Sequence, residues 1–254
     1  MLTKAAVSCA ALSAFVVPAL AADMTTPKAA PPAPPSWTGL YGGVEGGAIW
    51  GRSAVTEVPP AVLAPTSVTN PFDVNGGLVG GTIGYNYRIN NIVVGVEGDL
   101  SWARAEGYGT DIPPFNTSFS HELTQQSLAT YRGRAGFALD PVFFYVTGGG
   151  AAAGVAQRAF DAPTPCGGAG CVGISQSRIM SGWTVGAGLE WSFLPSWSLK
   201  AEYLHVDLGR ATYFAPPPNP TFAADMRVNM REDIMRVGLN YEFGWPPAPG
   251  ETRR

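Results

Sequence analysis

The chain has 254 residues, of which 46% are hydrophobic and only 14% charged, with a formal net charge of −3. Soluble domains carry roughly a quarter charged residues, and disordered chains combine few apolar residues with high net charge. Neither description fits, and the balance is not basic, so nucleic acid is not an expected partner.

Residues 1–21 read as a secretory signal peptide. Lys4 supplies the positive start, Ala5 to Val17 the short apolar core, and Ala19-Leu20-Ala21 the cleavage site. That core is shorter than the ~20 residues a spanning helix needs. A Pro-rich linker follows over 22–36, ending in PKAAPPAPPS, which favours extended backbone. One domain is expected over 37–243, and the tail 244–254 (GWPPAPGETRR) is again Pro-rich. Cys166 and Cys171, in the run CGGAGC, can close a small disulfide loop in an oxidising compartment, or stay free or metal-bound.

Within the domain, eight segments alternate with period two, the signature of strands. They are 38–50, 75–88, 92–104, 125–139, 142–156, 179–193, 198–209 and 231–243. The connections alternate too. Ile89-Asn90-Asn91, Asp140-Pro141 and Leu194-Pro195-Ser196-Trp197 are short, whereas 51–74, 105–124, 157–178 and 210–230 are long and rich in Pro, Gly, Thr and Asn. Short turns on one side and long loops on the other predict an all-β fold, an eight-stranded antiparallel up-and-down transmembrane barrel. An even strand number puts both termini on the short-turn side, the periplasm of a Gram-negative cell.

The two faces of each segment differ. Ile92, Val94, Val96, Leu100 and Trp102 oppose Glu97, Asp99 and Ser101; Met235, Val237, Leu239, Tyr241 and Phe243 oppose Arg236, Asn240 and Glu242. The polar face carries few charges, both signs, many glycines, and Arg in preference to Lys. That suits a narrow closed lumen whose side chains must satisfy one another. Glu45, Glu97, Asp99, Glu190, Glu202 and Glu242 are expected to meet Arg132, Arg134, Lys200 and Arg236 there. The apolar face would meet lipid, with interfacial belts. Tyr85, Tyr87, Phe137, Phe143, Trp191, Phe193, Trp197, Tyr241 and Phe243 fall at short-turn ends, Trp50 and Trp102 at long-loop ends.

Such a barrel is just wide enough to be filled by side chains. A structural, surface-exposed role without catalysis is therefore the leading expectation, with a small diffusion channel as the alternative. A barrel enzyme acting on outer-membrane lipid would need a partnered histidine. His121 beside Ser120 and Glu122, and His205 two residues after Tyr203, are read as structural. No catalytic residue, cofactor or metal is expected. Arg52, Arg158, Arg178, Arg210, Arg227 and Arg231 lie near loop bases, either as snorkelling rim charges or as ligands of lipopolysaccharide phosphates.

Several stretches resemble a known family. WTGLYGG (37–43) after the Pro-rich linker, GGTIGYNY (80–87), YVTGG (145–149), GWTVGAGLE (182–190), KAEYL (200–204) and the closing VGLNYEF (237–243) are similar to small alphaproteobacterial outer-membrane proteins. These are the Omp25/Omp31/RopB-like group, porin-family opacity-type proteins related in fold to OmpA and OmpX barrels. The resemblance implies an abundant outer-membrane barrel exposed to hosts and involved in envelope integrity. It also implies that Tyr241-x-Phe243 is read by the barrel-assembly machinery, although eleven residues follow it here. The expected partners are outer-membrane lipid and lipopolysaccharide, that machinery during biogenesis, and host or extracellular ligands through the loops.

Overall fold

The computed structural model describes residues 36–58, 66–67, 69–113, 119–161, 174–214 and 225–243. The expected signal peptide, nearly all of the Pro-rich linker, the tail, and Cys166 with Cys171 lie outside the described residues. Eight long strands form the wall: β1 (Gly39–Val58), β3 (Phe72–Ile89), β4 (Ile92–Thr110), β5 (Phe119–Leu139), β6 (Val142–Asp161), β7 (Ile174–Leu194), β8 (Trp197–Phe214) and β9 (Asp225–Phe243). A two-residue strand β2 (Thr66–Ser67) pairs with the far end of β1. Every pairing is antiparallel, each wall strand lies beside the next wall strand in the chain, and β1 also pairs with β9 from Leu40↔Phe243 to Val58↔Asp225, so the sheet closes on itself.

The short turns follow from residue type. Asn90 adopts φ 56°, a left-handed conformation that asparagine tolerates, and Pro141 and Pro195 stand where no ladder N–H is required. At the other end the strands run well past the expected boundaries. Large parts of 51–74, 105–124, 157–178 and 210–230, read as loops, are ladder: β1 continues to Val58, β4 to Thr110, β6 to Asp161 and β8 to Phe214.

Side chains divide by level along the barrel axis. Near the short turns the outward set is apolar and exposed (Val44, Val79, Ile83, Val96, Leu100, Val146, Val185, Val237), while the inward set is polar and buried. From Trp50 in β1 to Leu40 is 11 residues, about what a tilted strand needs to cross a bilayer. Beyond that level the polarity reverses. The interior holds one apolar cluster, including Ile49, Val55, Val74, Leu123, Leu128, Val155, Met180, Leu204, Val206, Val228 and Ile234, and the outward positions carry Arg52, Asp73, Arg104, Glu106 and Arg231. Bulges at Gln125/Ser127 in β5 and at Asp207/Arg210 in β8 shift side-chain parity in this upper part; Gly209, at the second, has φ +66°.

Inward glycines answer to crowding. A Cβ at Gly149 would strike the Tyr131 carbonyl oxygen of neighbouring β5, and one at Gly47 the Met235 carbonyl of neighbouring β9, so at those rungs adjacent strands approach too closely on the inner face for a side chain. Tyr41 and Tyr145 lay their rings over Gly84 and Gly188 and fill what those residues leave. Outward Gly98, Gly133 and Gly148, by contrast, have room for a Cβ, and nothing in the structure explains them.

Candidate functional site

The lipid-level interior draws side chains from β1, β4, β5, β7, β8 and β9, because the polar residues of each strand share one parity and the closed sheet turns that parity inward. Arg132 sits at its centre. Its Nη2 lies 2.5 Å from Glu97 Oε1 and 2.9 Å from Asp99 Oδ2, its Nη1 2.9 Å from Glu202 Oε1, and its Nε donates to Thr130 Oγ1 at 2.9 Å. Arg236 donates to Glu202 Oε2 (2.7 Å, from Nε), approaches Asp99 Oδ2 at 3.1 Å, and pairs with Glu45. Lys200 bridges Glu45 (3.2 Å) and Glu97 (3.3 Å). Arg134 reaches Glu190 at 3.1 Å and Asn86 at 2.8 Å. Its guanidinium carbon lies 4.5, 5.3 and 5.2 Å from the ring centres of Tyr41, Phe143 and Tyr145.

Nine of the ten charged residues singled out from the sequence are thus brought together, and all nine are buried. Five carboxylates meet four cations, and Arg forks engage several acids at once, as their geometry allows. Glu242 stands apart. It is half-buried near the short-turn end and makes no ion pair among the described residues, since Arg134 is engaged by Asn86, Glu190 and three rings. Neutral members join them: Asn240, read on the polar face, donates to Glu190 (2.8 Å), while Tyr41 to Glu97 (2.7 Å), Tyr145 to Glu202 (3.1 Å) and Ser198 to Glu190 (2.5 Å) were missed from the sequence. Their strand parity was the available signal.

The short-turn mouth is closed by a second cluster. Trp37, 1% exposed and at φ 50°, packs its ring 5.5 Å from Phe143, which stacks 5.2 Å from Tyr145. The Trp37 indole N–H donates to Asp140 Oδ1 (2.8 Å), and Arg88 grips the same carboxylate (2.9 Å). Phe143, expected in the lipid-facing belt, is therefore inside. Val142 opens β6 directly after the turn, and this sets Phe143 and Tyr145 on the inward parity and Phe144 on the outward one.

The other belt residues, Tyr85, Tyr87, Phe137, Trp191, Phe193, Trp197, Tyr241 and Phe243 at one level and Trp50 and Trp102 at the other, all face outward and are exposed. Trp197, Tyr241 and Phe243 form a chain of edge contacts, with centroids 5.0 and 5.3 Å apart.

Above the charged core, buried Glu232 accepts from Gln125 across the lumen at 3.2 Å. His121, placed in a loop by the sequence, belongs to β5 and is buried against Asp111 (2.9 Å). His205 lies on the outer wall, its Nδ1 2.8 Å from an Asp233 carboxylate that also accepts from Tyr203 (2.6 Å). Among the described residues no three His, Cys, Asp or Glu side chains come together as a metal site.

Comparison with known proteins agrees with this architecture. The chain is 32% identical over 238 residues to the 31 kDa outer-membrane immunogenic protein of Brucella melitensis, covering 90% of this chain and 95% of that one. It is 28% identical over 243 residues to the 25 kDa outer-membrane immunogenic protein of Brucella abortus, covering 92% and 95%. The outer-membrane protein OprG of Pseudomonas aeruginosa shares the fold, with a TM-score of 0.50 at 11% identity over 82% of this chain and 98% of that one. A family model described as the outer membrane protein beta-barrel domain matches residues 7–243. The chain belongs to that family, among relatives of the Omp25/Omp31 type, and resides in the outer membrane.

Proposed function

We propose that this chain is a structural, non-enzymatic outer-membrane protein. Its sealed barrel anchors surface segments and contributes to envelope integrity. The carrying observation is the filled lumen. From the short-turn end upward it holds the Trp37–Phe143–Tyr145 stack, then the Arg132-centred ion network, then the apolar cluster from Ile49 to Ile234. A conducting path would need continuous water past Arg132, Arg134 and their acids, and above them the mainly apolar interior is crossed by the Gln125–Glu232 hydrogen bond. Both histidines are held by aspartates, which supports a structural reading of each.

The short turns then face the periplasm and the extended strand ends face outward. The relatives' names, outer-membrane immunogenic proteins, are consistent with segments presented at the long-loop end. Host or other extracellular ligands would meet the long-loop end, outer-membrane lipid the apolar wall, and the assembly machinery the Tyr241-x-Phe243 ending during biogenesis. The test is planar-bilayer conductance of purified, refolded protein whose gel migration is heat-modifiable. A silent bilayer is expected; steady conductance abolished by Arg132→Ala would replace this reading with a small diffusion channel.

A further inference from the structure

Above the ion network one buried pair leaves its hydrogen bonding unfinished. Gln125 of β5 donates from Nε2 to Glu232 Oε1 of β9 at 3.2 Å. These strands stand four apart by either route around the closed ring, so the contact is a bar across the whole lumen. Both side chains are fully buried, at 0% and 1% exposure, and the second oxygen of each, Gln125 Oε1 and Glu232 Oε2, has no hydrogen-bond partner. Two acceptors stranded away from water cost far more than a bond left unmade at the surface.

The surroundings supply no counter-charge. Glu232 lies opposite Gly51 of β1 and Val206 of β8. The buried side chains next to it on these strands are Ile49, Ser53, Leu204, Leu208, Met230 and Ile234. Other titratable groups turned toward this half of the lumen are engaged elsewhere: His121 with Asp111, Tyr213 with the Val155 carbonyl, and Arg178 beside Tyr213. Arg236, four residues below on β9, is held by Glu45, Asp99 and Glu202. On the outer wall Arg231 pairs with Asp207, while Asp233 adds further negative charge. Trp50 pairs with Asp233, so Glu232 stands above the lipid-facing span. Burial pushes its carboxyl from 4.5 up to about 7.

We propose that Glu232 is a proton-operated latch across the outer half of the barrel. In the acid form its Oε2 hydroxyl donates to Gln125 Oε1 while the Gln125 amide donates to Glu232 Oε1, closing a two-bond ring between β5 and β9. One proton thereby satisfies both stranded oxygens and removes the charge. When that proton leaves to solvent, one bond is lost, a carboxylate remains among apolar side chains, and water is drawn to this level of the lumen. The folded-state value is raised, so the latch stabilises fully below about pH 4.5, and its contribution is lost as pH rises through about 7. The inference goes beyond the structural role proposed above and does not depend on it.

The test compares refolded wild type with Glu232→Gln, whose neutral amide keeps both bonds to Gln125 at every pH. Urea unfolding in lipid vesicles should give similar stabilities near the acid end of the window. By about pH 8.5 the wild-type unfolding constant should have risen about tenfold to a hundredfold relative to that of the variant. Amide hydrogen exchange in upper β5 and β9 should quicken in parallel, again relative to the variant. Gln125→Leu, which leaves the acid form without an acceptor, should already be weakened at the acid end. In D2O the infrared carbonyl band of a protonated carboxyl should be present at about pH 6, fade toward about pH 8.5, and be missing from Glu232→Gln. A pH profile shared by wild type and Glu232→Gln, or no such band assignable to Glu232, would overturn the proposal. A wild-type stability that rises with added sodium or magnesium, with no rise in Glu232→Gln, would overturn it in favour of a cation held by the same oxygens.

Discussion

The lower and upper halves of the barrel are built from the same strands with opposite polarity. At the lipid level the wall is apolar and the centre is ionic; above Trp50 and Trp102 the centre is mainly apolar, with Gln125, Gln157 and Glu232 among its buried polar side chains, and the wall carries Arg and Asp. Each half places its apolar surface where its own surroundings leave no better choice. Lipid rewards an apolar exterior and leaves the lumen to side chains that satisfy one another. Water above removes that reward, so the hydrophobic effect draws Leu, Val and Ile inward as in any soluble barrel.

Substitutions can break this comparison, beginning where the cost is greatest. Arg132→Leu strands Glu97, Asp99 and Glu202 without their shared cation and should destabilise the barrel by about 3–5 kcal/mol, read from urea midpoints in lipid. Leu204→Ala, in the dry upper core, should cost about 2–4 kcal/mol by the same assay, as a buried leucine does in a soluble protein. Ile83→Arg, outward at lipid depth, should cost about 2–3 kcal/mol and slow insertion into vesicles. Leu100→Ala, also outward, exchanges one lipid contact for another and should cost about 0.5 kcal/mol. Should Leu100→Ala prove as damaging as Leu204→Ala, the two halves would not differ as described.

The same reversal explains how far the sequence could be read. In β8, Leu199, Ala201 and Tyr203 mark the outward parity, but the apolar set then passes to Leu204, Val206 and Leu208. In β9, Met235, Val237 and Leu239 give way to Ile234, Met230 and Val228. Alternation judged by one sign of polarity stops at the crossover, and the remainder, rich in Thr, Asn and Pro, reads as loop. The charged interior was legible because ionisable residues kept a single parity within the lipid level. The neutral partners Tyr41, Tyr145 and Ser198 were not, since a tyrosine or serine in a strand carries no mark of which acid it will meet. Phe143 failed for a related reason: beside a short turn, Phe143 and Phe144 are equally plausible belt residues until the register is known.

Trp37 and Asp140 have a consequence for the order of assembly. Trp37 immediately precedes β1, while Asp140 belongs to the β5–β6 turn, four strands away around the ring by either route. Their hydrogen bond is a chord across the mouth. It cannot exist in a flat or half-curled sheet, whose first strand and β5–β6 turn stand far apart. The indole therefore reports curvature, and its burial beside Phe143 is a reward available only to a chain that has already bent its wall into a circle.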